Sequence, residues 1–560
     1  MRILFLVHSF NSLAQRLHVE LAERGHELSV EFDINDDVTR EAVALFRPDV
    51  VLAPFLKRAI PEDVWRATRC LIVHPGIRGD RGPHALDWAI LRREQSWGVT
   101  IIEAEAEMDA GPVWSWREFT MRHAPKSNIY RNEVTEAALD AVLEALAMVE
   151  AGDFRPTRLD LGNRSIQGFA NPPVRQADRR INWHRDTSMR VARMIHSADG
   201  TPGLLDEIDG VPFYHYDARP WTGREFVLGP RGAIVARSGP AIARGTRNGL
   251  VWIGHLREAR DRALKLPATT VLADRLDGVP EIEGGYREIW YEEEGAVGFL
   301  HFQFYNGAMS TAQCRRLRAA YAEARRRPTR VIVLMGGEDY WSNGIHLGTI
   351  EDAESPADES AANIEAMDDL ALDILTTEDR IVVSALRGNA GAGGAFLALA
   401  ADEVWARAGI VLNPHYKDMG NLYGSEYWTY LLPKRVGAET AAAIAARRLP
   451  IGVAEALRLK LVDHALQADR DAANAEIRAR AAGLAAAKGF ASRLWDKRMA
   501  RGRDEGEKPL AAYRAEELER MHLNFYGFDS SYHVARFNFI HKVPKSRTPL
   551  SLARHRKGKA

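Results

Sequence analysis

Apolar positions along the first fifty-odd residues fall into two alternating rhythms. Residues 3–7, 26–32 and 49–53 are short apolar runs of the kind that form buried strands, whereas 12–23 places its apolar residues on one helical face and stops at Gly25. Strand and helix in turn predict βαβ units and a parallel sheet with helices on its faces. In such sheets ligands gather beyond the carboxyl ends of the strands, so segments 8–11, 54–57 and 74–76 are expected to converge on one crevice. A helical hairpin is expected at 132–151, and the polar, proline-containing stretch 153–178 reads as a linker. INWHRDTSMRVARMIHSADG then reads as strand-to-helix, and short strands in GPRGAIVA, AIARG and GLVWIGHL, separated by glycine turns, predict a small barrel. After another Pro/Gly/Asp-rich passage at 266–285, strands at 288–292, 296–302, 330–335 and 380–386 and a helix at 311–326 predict a further layered α/β unit. The fold class is therefore multidomain α/β, with boundaries at 1–165, 166–275 and 286–535 and a basic tail at 536–560.

Length agrees with that division, since 560 residues correspond to about three to four domains. Seventy-five basic against 76 acidic residues leave a net charge of −1, so no global field favours nucleic acid or an anionic membrane, and small-molecule substrates are expected. Cys70 and Cys314 are the only cysteines, without CxxC spacing, which argues for a cytoplasmic setting and against a zinc site. The opening MRILFLVHSF is short and passes straight into a helical pattern, so it reads as a first strand. No apolar run has a membrane-spanning length. The last nineteen residues hold seven Lys/Arg and no acid, and read as a solvated terminus.

Two groups of residues carry candidate chemistry. HPGIRGDRG at 74–82 and MDAGP at 108–112 place His74 and Asp109 at the same sheet edge, either as a proton relay and the group that orients it or as a satisfied loop His and a capping Asp. WSNGIHL at 341–347 and GNAGAGGAFLALAADE at 388–403 each follow a buried strand with a glycine-rich turn; one such turn alone more often serves close packing or a phosphate, but its unpaired backbone N–H groups can also polarise a carbonyl.

The order HPGIRGDRGPHALDWAILRREQSWGVTIIEAEAEMDAGPVW resembles the 10-formyltetrahydrofolate-dependent transferases, which include methionyl-tRNA formyltransferase, over roughly residues 1–270. The resemblance implies a Rossmann-like sheet followed by a small barrel, catalytic roles for His74 and Asp109, and a folate loop shaped by Arg81 and Gly82. The family carries an Asn two residues before the His, and Ile72 stands there. Losing one oxyanion donor costs about 2.7–4 kcal/mol, so Asn11 is a candidate substitute. Residues 288–530 resemble the crotonase, or enoyl-CoA hydratase, superfamily, and thereby imply coenzyme A. Carried across, the carbonyl donors are the N–H groups of Ile345 and Gly393, with Gly344 and Gly394 beside them and Asn306 in the turn where the family has N-R-P. Phe396 and Tyr416 occupy the positions of the hydratase acids, so water addition is not expected; Tyr416, assisted by Glu426, is left to handle a proton, unless the ring is only core packing. Arg131 fits either contact with coenzyme A phosphates or plain solvation.

The two modules in this order resemble the HypX/HoxX family of hydrogenase maturation factors along essentially the whole chain. That resemblance implies formyl transfer from 10-formyltetrahydrofolate to coenzyme A, then decarbonylation of formyl-CoA to carbon monoxide for the iron of nickel–iron hydrogenase. It suggests the assembly proteins of that iron cofactor as partners. Two rivals share the motifs: a CoA-thioester hydrolase that releases formate, and a noncatalytic folate- and CoA-binding assembly factor.

Overall fold

The computed structural model describes residues 1–160, 163, 166–221 and 229–559, and the chain divides into two compact units, 1–287 together with 545–560, and 288–544. The first unit opens with β1 (Arg2–Val7), β2 (Glu27–Phe32), β3 (Val50–Phe55), β4 (Cys70–His74), β5 (Ser96–Glu103) and β6 (Val113–Thr120) in the order β2-β1-β3-β4-β5-β6. The first four strands are parallel as expected, and β5 and β6 extend the sheet antiparallel. Ile3, Leu4, Phe5, Val50, Val51 and Leu52 are fully buried, which is what helices on both faces of a parallel sheet require. Strand order reverses between β1 and β3, so the ends of β1, β3 and β4 border the crevice.

Several expectations are corrected. The hairpin expected at 132–151 is one helix, Thr135–Ala151, entered through a π-helical turn at Tyr130–Val134. No strand forms at 181–183, because the Asn182 side chain accepts the N–H groups of His184 and Arg185 and turns the chain. The stretch 153–178, four of whose residues (161, 162, 164 and 165) lie outside the described set, is no free linker. Gly168 donates to the Arg78 carbonyl, Arg81 to the Phe169 carbonyl, and Val113 to the Thr157 carbonyl.

The expected barrel is an open antiparallel sheet of β7 (Leu204–Ile208), β8 (Val211–Pro220), β9 (Ile234–Ser238), β10 (Ala241–Thr246), β11 (Gly249–Glu258) and β12 (Leu266–Pro267). Its order is β7-β8-β11-β10-β9 with β12 on β11, and among the described residues β9 does not return to β7; residues 222–228 lie outside them. Helix Ser188–Ser197 supplies the reason. Its Val191, Ala192, Met194 and Ile195 pack against Phe213, Val251 and Ile253, so the sheet buries its apolar face on a helix and need not close on itself.

The tail also departs from its expected solvation. Residues 545–560 belong to the first unit and cover the outer edge of β2: Val30 N–H donates to the Leu552 carbonyl at 3.1 Å and Phe32 N–H to Thr548 Oγ1 at 2.8 Å. Glu31, fully buried, accepts from Thr548 Oγ1, faces His555 Nε2 at 3.1 Å and pairs with Arg556 at 2.6 Å. A buried cation stripped of its acid is costly, so Glu31→Ala is expected to lower unfolding free energy by about 3–5 kcal/mol, read by urea denaturation.

The second unit places β13 (Ile289–Glu294), β14 (Val297–Phe302), β15 (Val331–Leu334), β17 (Ile381–Leu386), β19 (Glu403–Arg407) and β22 (His464–Leu466) in one sheet in that order. A smaller sheet holds β16 (Tyr340–Ser342), β18 (Asn389–Gly391), β20 (Val411–Asn413) and β21 (Ile451–Gly452). β15 leads to β16, β17 to β18 and β19 to β20, so the chain spirals, giving each turn one strand in each sheet. The helix expected at 311–326 forms as Thr311–Arg326, with Ser310 and Gln313 in a capping box.

Candidate active sites

His74 is the last residue of β4 and only 5 % exposed. Its Nδ1 lies 3.6 Å from Asp109 Oδ1, so the structure brings the expected pair together. A second carboxylate, not singled out in the sequence, is closer: Asp80 Oδ2 stands 3.0 Å from Nε2, and Asp80 is itself held by the Asn171 amide at 2.7 Å. Burial pulls the His74 pKa down, but the Asp80 hydrogen bond and the Asp109 charge outweigh it, so the ring is held above its usual value. Asp80 was legible in GIRGDRG as an acid, yet it reads there as a turn residue; Asn171 comes from the supposed linker and carried no signal.

Glycines let this loop close over the ring. A Cβ on Gly76 would fall 2.3 Å from His74 Nε2. Gly82 has φ +107°, and its N–H donates to Asp109 Oδ2 at 3.1 Å, so Asp109 is fixed from the loop as well as from its own left-handed turn at φ +56°. Arg81 pairs with Glu107 beside it. Ile72 pairs with Ile102 in the sheet and packs on apolar neighbours, so no amide faces the ring from that position. Asn11 is the N-cap of helix Ser12–Glu23: its carbonyl accepts Ala14 N–H at 3.0 Å and its NH2 donates to Tyr130 Oη at 3.3 Å, which commits it locally. Arg131 lies in the π-turn, half-buried.

In the second unit the two glycine-rich turns meet. A Cβ on Gly344, where φ is +79°, would lie 3.1 Å from Gly393 N, and one on Gly394 would lie 2.3 Å from the Ser342 carbonyl oxygen. Gly344 C=O and His346 N–H both bond to Met309, which turns the intervening Ile345 N–H to the opposite side. Gly393 opens helix Gly393–Leu399, so its N–H is one of the donors a helix leaves over. Among the described residues neither N–H has an acceptor. Asn306, in the left-handed region at φ +55°, gives its carbonyl to the Asn343 side chain at 2.8 Å and braces the first turn from behind.

Facing these donors is a carboxylate. A Cβ on Gly393 would fall 2.3 Å from Glu426 Oε1, an oxygen that is buried and without a hydrogen-bond partner. The other oxygen, Oε2, accepts from the Tyr416 hydroxyl, whose ring is stacked on Phe396 with centroids 5.1 Å apart. Burial and the neighbouring Glu426 charge push the Tyr416 phenol well up, so it stays protonated and donates. Burial and the charge of Asp368 push Glu426 up to about 8. Asp368 and Glu517, which the sequence reading missed, are buried beside it on helices Pro356–Leu375 and Leu510–Tyr526. On a helix an acid looks like a solvated face, and nothing local marks either as interior.

Comparison with known proteins follows this division. The formyl transferase family matches residues 33–146 and the enoyl-CoA hydratase/isomerase family residues 296–526. The hydrogenase maturation factor HoxX of Bradyrhizobium diazoefficiens is 59% identical over 559 residues, spanning 99% of this chain and 97% of that protein. The chain belongs to the HypX/HoxX family of hydrogenase maturation factors. A crystal structure of HypX from Aquifex aeolicus in complex with tetrahydrofolic acid superposes on it with a TM-score of 0.96 and 47% identity, covering 100% of this chain and 99% of that one. Methionyl-tRNA formyltransferase of Anaeromyxobacter sp. (strain K) is 24% identical over 217 residues, 38% of this chain and 68% of that protein. As a HypX/HoxX protein the chain joins a formyltransferase-like and a crotonase-like module. Among the described residues, no helix is long and apolar enough to cross a membrane.

Proposed function

We propose that this protein makes carbon monoxide in two steps: formyl transfer from 10-formyltetrahydrofolate to coenzyme A, then breakdown of the formyl thioester to carbon monoxide and free thiol. The observation that carries the reading is Glu426 Oε1, a buried carboxylate oxygen without a partner beside the Gly393 amide. Removal of a formyl proton needs a base beside the carbonyl donors, and Phe396 and Tyr416 stand where the crotonase resemblance places the pair of acids that add water. Both cosubstrates are consumed or released in each turnover, and the relative that binds tetrahydrofolic acid supports the folate assignment.

In the first step His74 takes the proton of the attacking thiol as sulfur bonds to the formyl carbon, and returns it to the folate nitrogen as the carbon–nitrogen bond breaks. Asp80 and Asp109 stabilise the imidazolium formed meanwhile. Arg81 and Gly82 shape the folate loop, and Arg131 is assigned to the phosphates of coenzyme A. In the second step the Ile345 and Gly393 N–H groups hold the formyl oxygen, while Gly344, Gly394 and Asn306 keep the two turns in place. Glu426 accepts the formyl hydrogen as a proton, the carbon–sulfur pair leaves with sulfur, and Glu426 then protonates the thiolate. The products are carbon monoxide and coenzyme A thiol, with no oxidant or water consumed. Burial makes Glu426 a much weaker acid than an ordinary carboxyl, which brings it toward the range of a thiol and eases proton return to sulfur. In this proposal Tyr416, expected from sequence to handle the proton with help from Glu426, serves as the donor that orients Glu426.

The test is to incubate the protein with labelled 10-formyltetrahydrofolate and coenzyme A and to trap carbon monoxide on a haem reporter. Labelled carbon monoxide is expected; labelled formate in its place, or stoichiometric binding without turnover, would overturn the reading. Tyr416→Phe removes one hydrogen bond to a charged group, and about tenfold slower carbon monoxide release with normal formyl transfer is expected in the same assay.

A further inference from the structure

Around Glu426 the chain makes a turn that its own residues do not favour. Glu426 and Tyr427 both have φ +59°, in the left-handed region, although neither is glycine. Two buried carboxylates hold that turn. Asp368 Oδ1 accepts Glu426 N–H at 2.7 Å and the Ser425 hydroxyl at 2.8 Å, while Glu517 accepts Tyr427 N–H at 2.9 Å and Thr429 N–H at 2.8 Å. Three acids, all fully buried, thus share one turn. The cation at hand is Arg514, whose Nε lies 3.8 Å from Asp368 Oδ2 and whose Nη1 pairs with Asp369 at 2.8 Å.

We infer that Asp368 and Glu517 are positioning residues that set the proton affinity of Glu426 through the Ser425–Tyr427 turn, an inference that rests on the carbon monoxide reading above. The donor count supports it. Asp368 and Glu517 each have donors on both carboxyl oxygens, which favour their ionised forms, whereas Glu426 is held by Tyr416 and the Ser425 backbone and its Oε1 has no donor. The groups facing Glu426 are Tyr416 from its loop, Asp368 and Glu517 from two helices, and the Cys314 thiol from a third, which burial and the Glu426 charge keep neutral. None of these is a cation that would favour a charge on Glu426. When two neighbours ionise first, the last proton of the cluster resides on Glu426, and the three acids titrate as one coupled set. Burial, with the neighbouring Asp369 charge, raises Asp368 to about 6, and burial, with the Asp368 charge, raises Glu517 to about 7, in keeping with that order.

Asp368→Asn keeps an acceptor for Glu426 N–H and removes one charge. With formyl-CoA supplied directly, carbon monoxide release requires ionised Glu426 and so rises with pH. In Asp368→Asn the rising limb is expected about one pH unit lower, with formyl transfer unchanged; Glu517→Gln is the second variant, shifted in the same direction. A limb that stays at the wild-type position in whichever variant folds would overturn the inference. Infrared titration of the wild-type protein reads the same property without activity: a protonated-carboxyl band absent from Glu426→Gln should persist at pH 7 and vanish as pH rises past 8. If Glu426 is already ionised at pH 6 the inference falls whatever the variants do. Failure of wild type to make carbon monoxide, with the infrared titration as expected, would discard the proposed reaction and leave the cluster's role in place.

Discussion

Glu426→Gln is expected to slow carbon monoxide release from formyl-CoA by about 10²–10⁴, the usual worth of a placed general base, while leaving formyl transfer from folate intact. Glutamine has nearly the same size and can still accept the Tyr416 hydroxyl, so the loss would report the missing proton acceptor and not a collapsed pocket. Formyl-CoA should then accumulate when the protein is given formyl-folate and coenzyme A. Chromatography of the thioester together with haem trapping of carbon monoxide measures both halves at once; undiminished carbon monoxide would remove Glu426 from the mechanism.

The second large effect belongs to the first unit. His74→Gln should reduce formyl transfer by about 10²–10⁴ and spare carbon monoxide release from formyl-CoA added from outside, because the two sites stand in separate units. The pH profile carries a sign. As a base His74 must be neutral, and Asp80 and Asp109 hold its pKa above the ordinary value, so formyl transfer should fall off in acid starting from a pH above 6.5. Asp80→Asn removes one of those carboxylates, and the acid limb should then move to lower pH. Equal loss of both activities in His74→Gln would argue against the division of labour.

How far the sequence could be read differs by element and by cause. Alternation of apolar strand and amphipathic helix located β1 to β3 and helix Ser12–Glu23, because short buried strands and one-sided helices leave local signatures. The open sheet of β7 to β12 was not legible as open, since the same glycine-separated strands serve a closed barrel, and the difference lies in what covers their apolar face. At the sites, His74, Asp109 and the Ile345 and Gly393 turns were visible because motif and geometry coincide in a few consecutive residues. Asn171, Asp368 and Glu517 were not, because each meets its partner only through tertiary folding, and Asp80, six residues from His74, reads as a turn acid. The proposed reaction gives the formyl proton to Glu426 with Tyr416 as its hydrogen-bond donor, and that division depends on burial and surrounding charges that the sequence does not display.

Glu31 has one more implication, for the order in which a ribosome delivers this chain. The acid leaves the exit tunnel more than five hundred residues before Thr548, His555 and Arg556. A nascent β2 therefore waits, with its outer edge open, through translation of more than five hundred further residues. A frameshift or stop codon at residue 545, downstream of both candidate sites, would leave an exposed strand edge and an acid without its cations, a product suited to chaperones and proteases more than to catalysis.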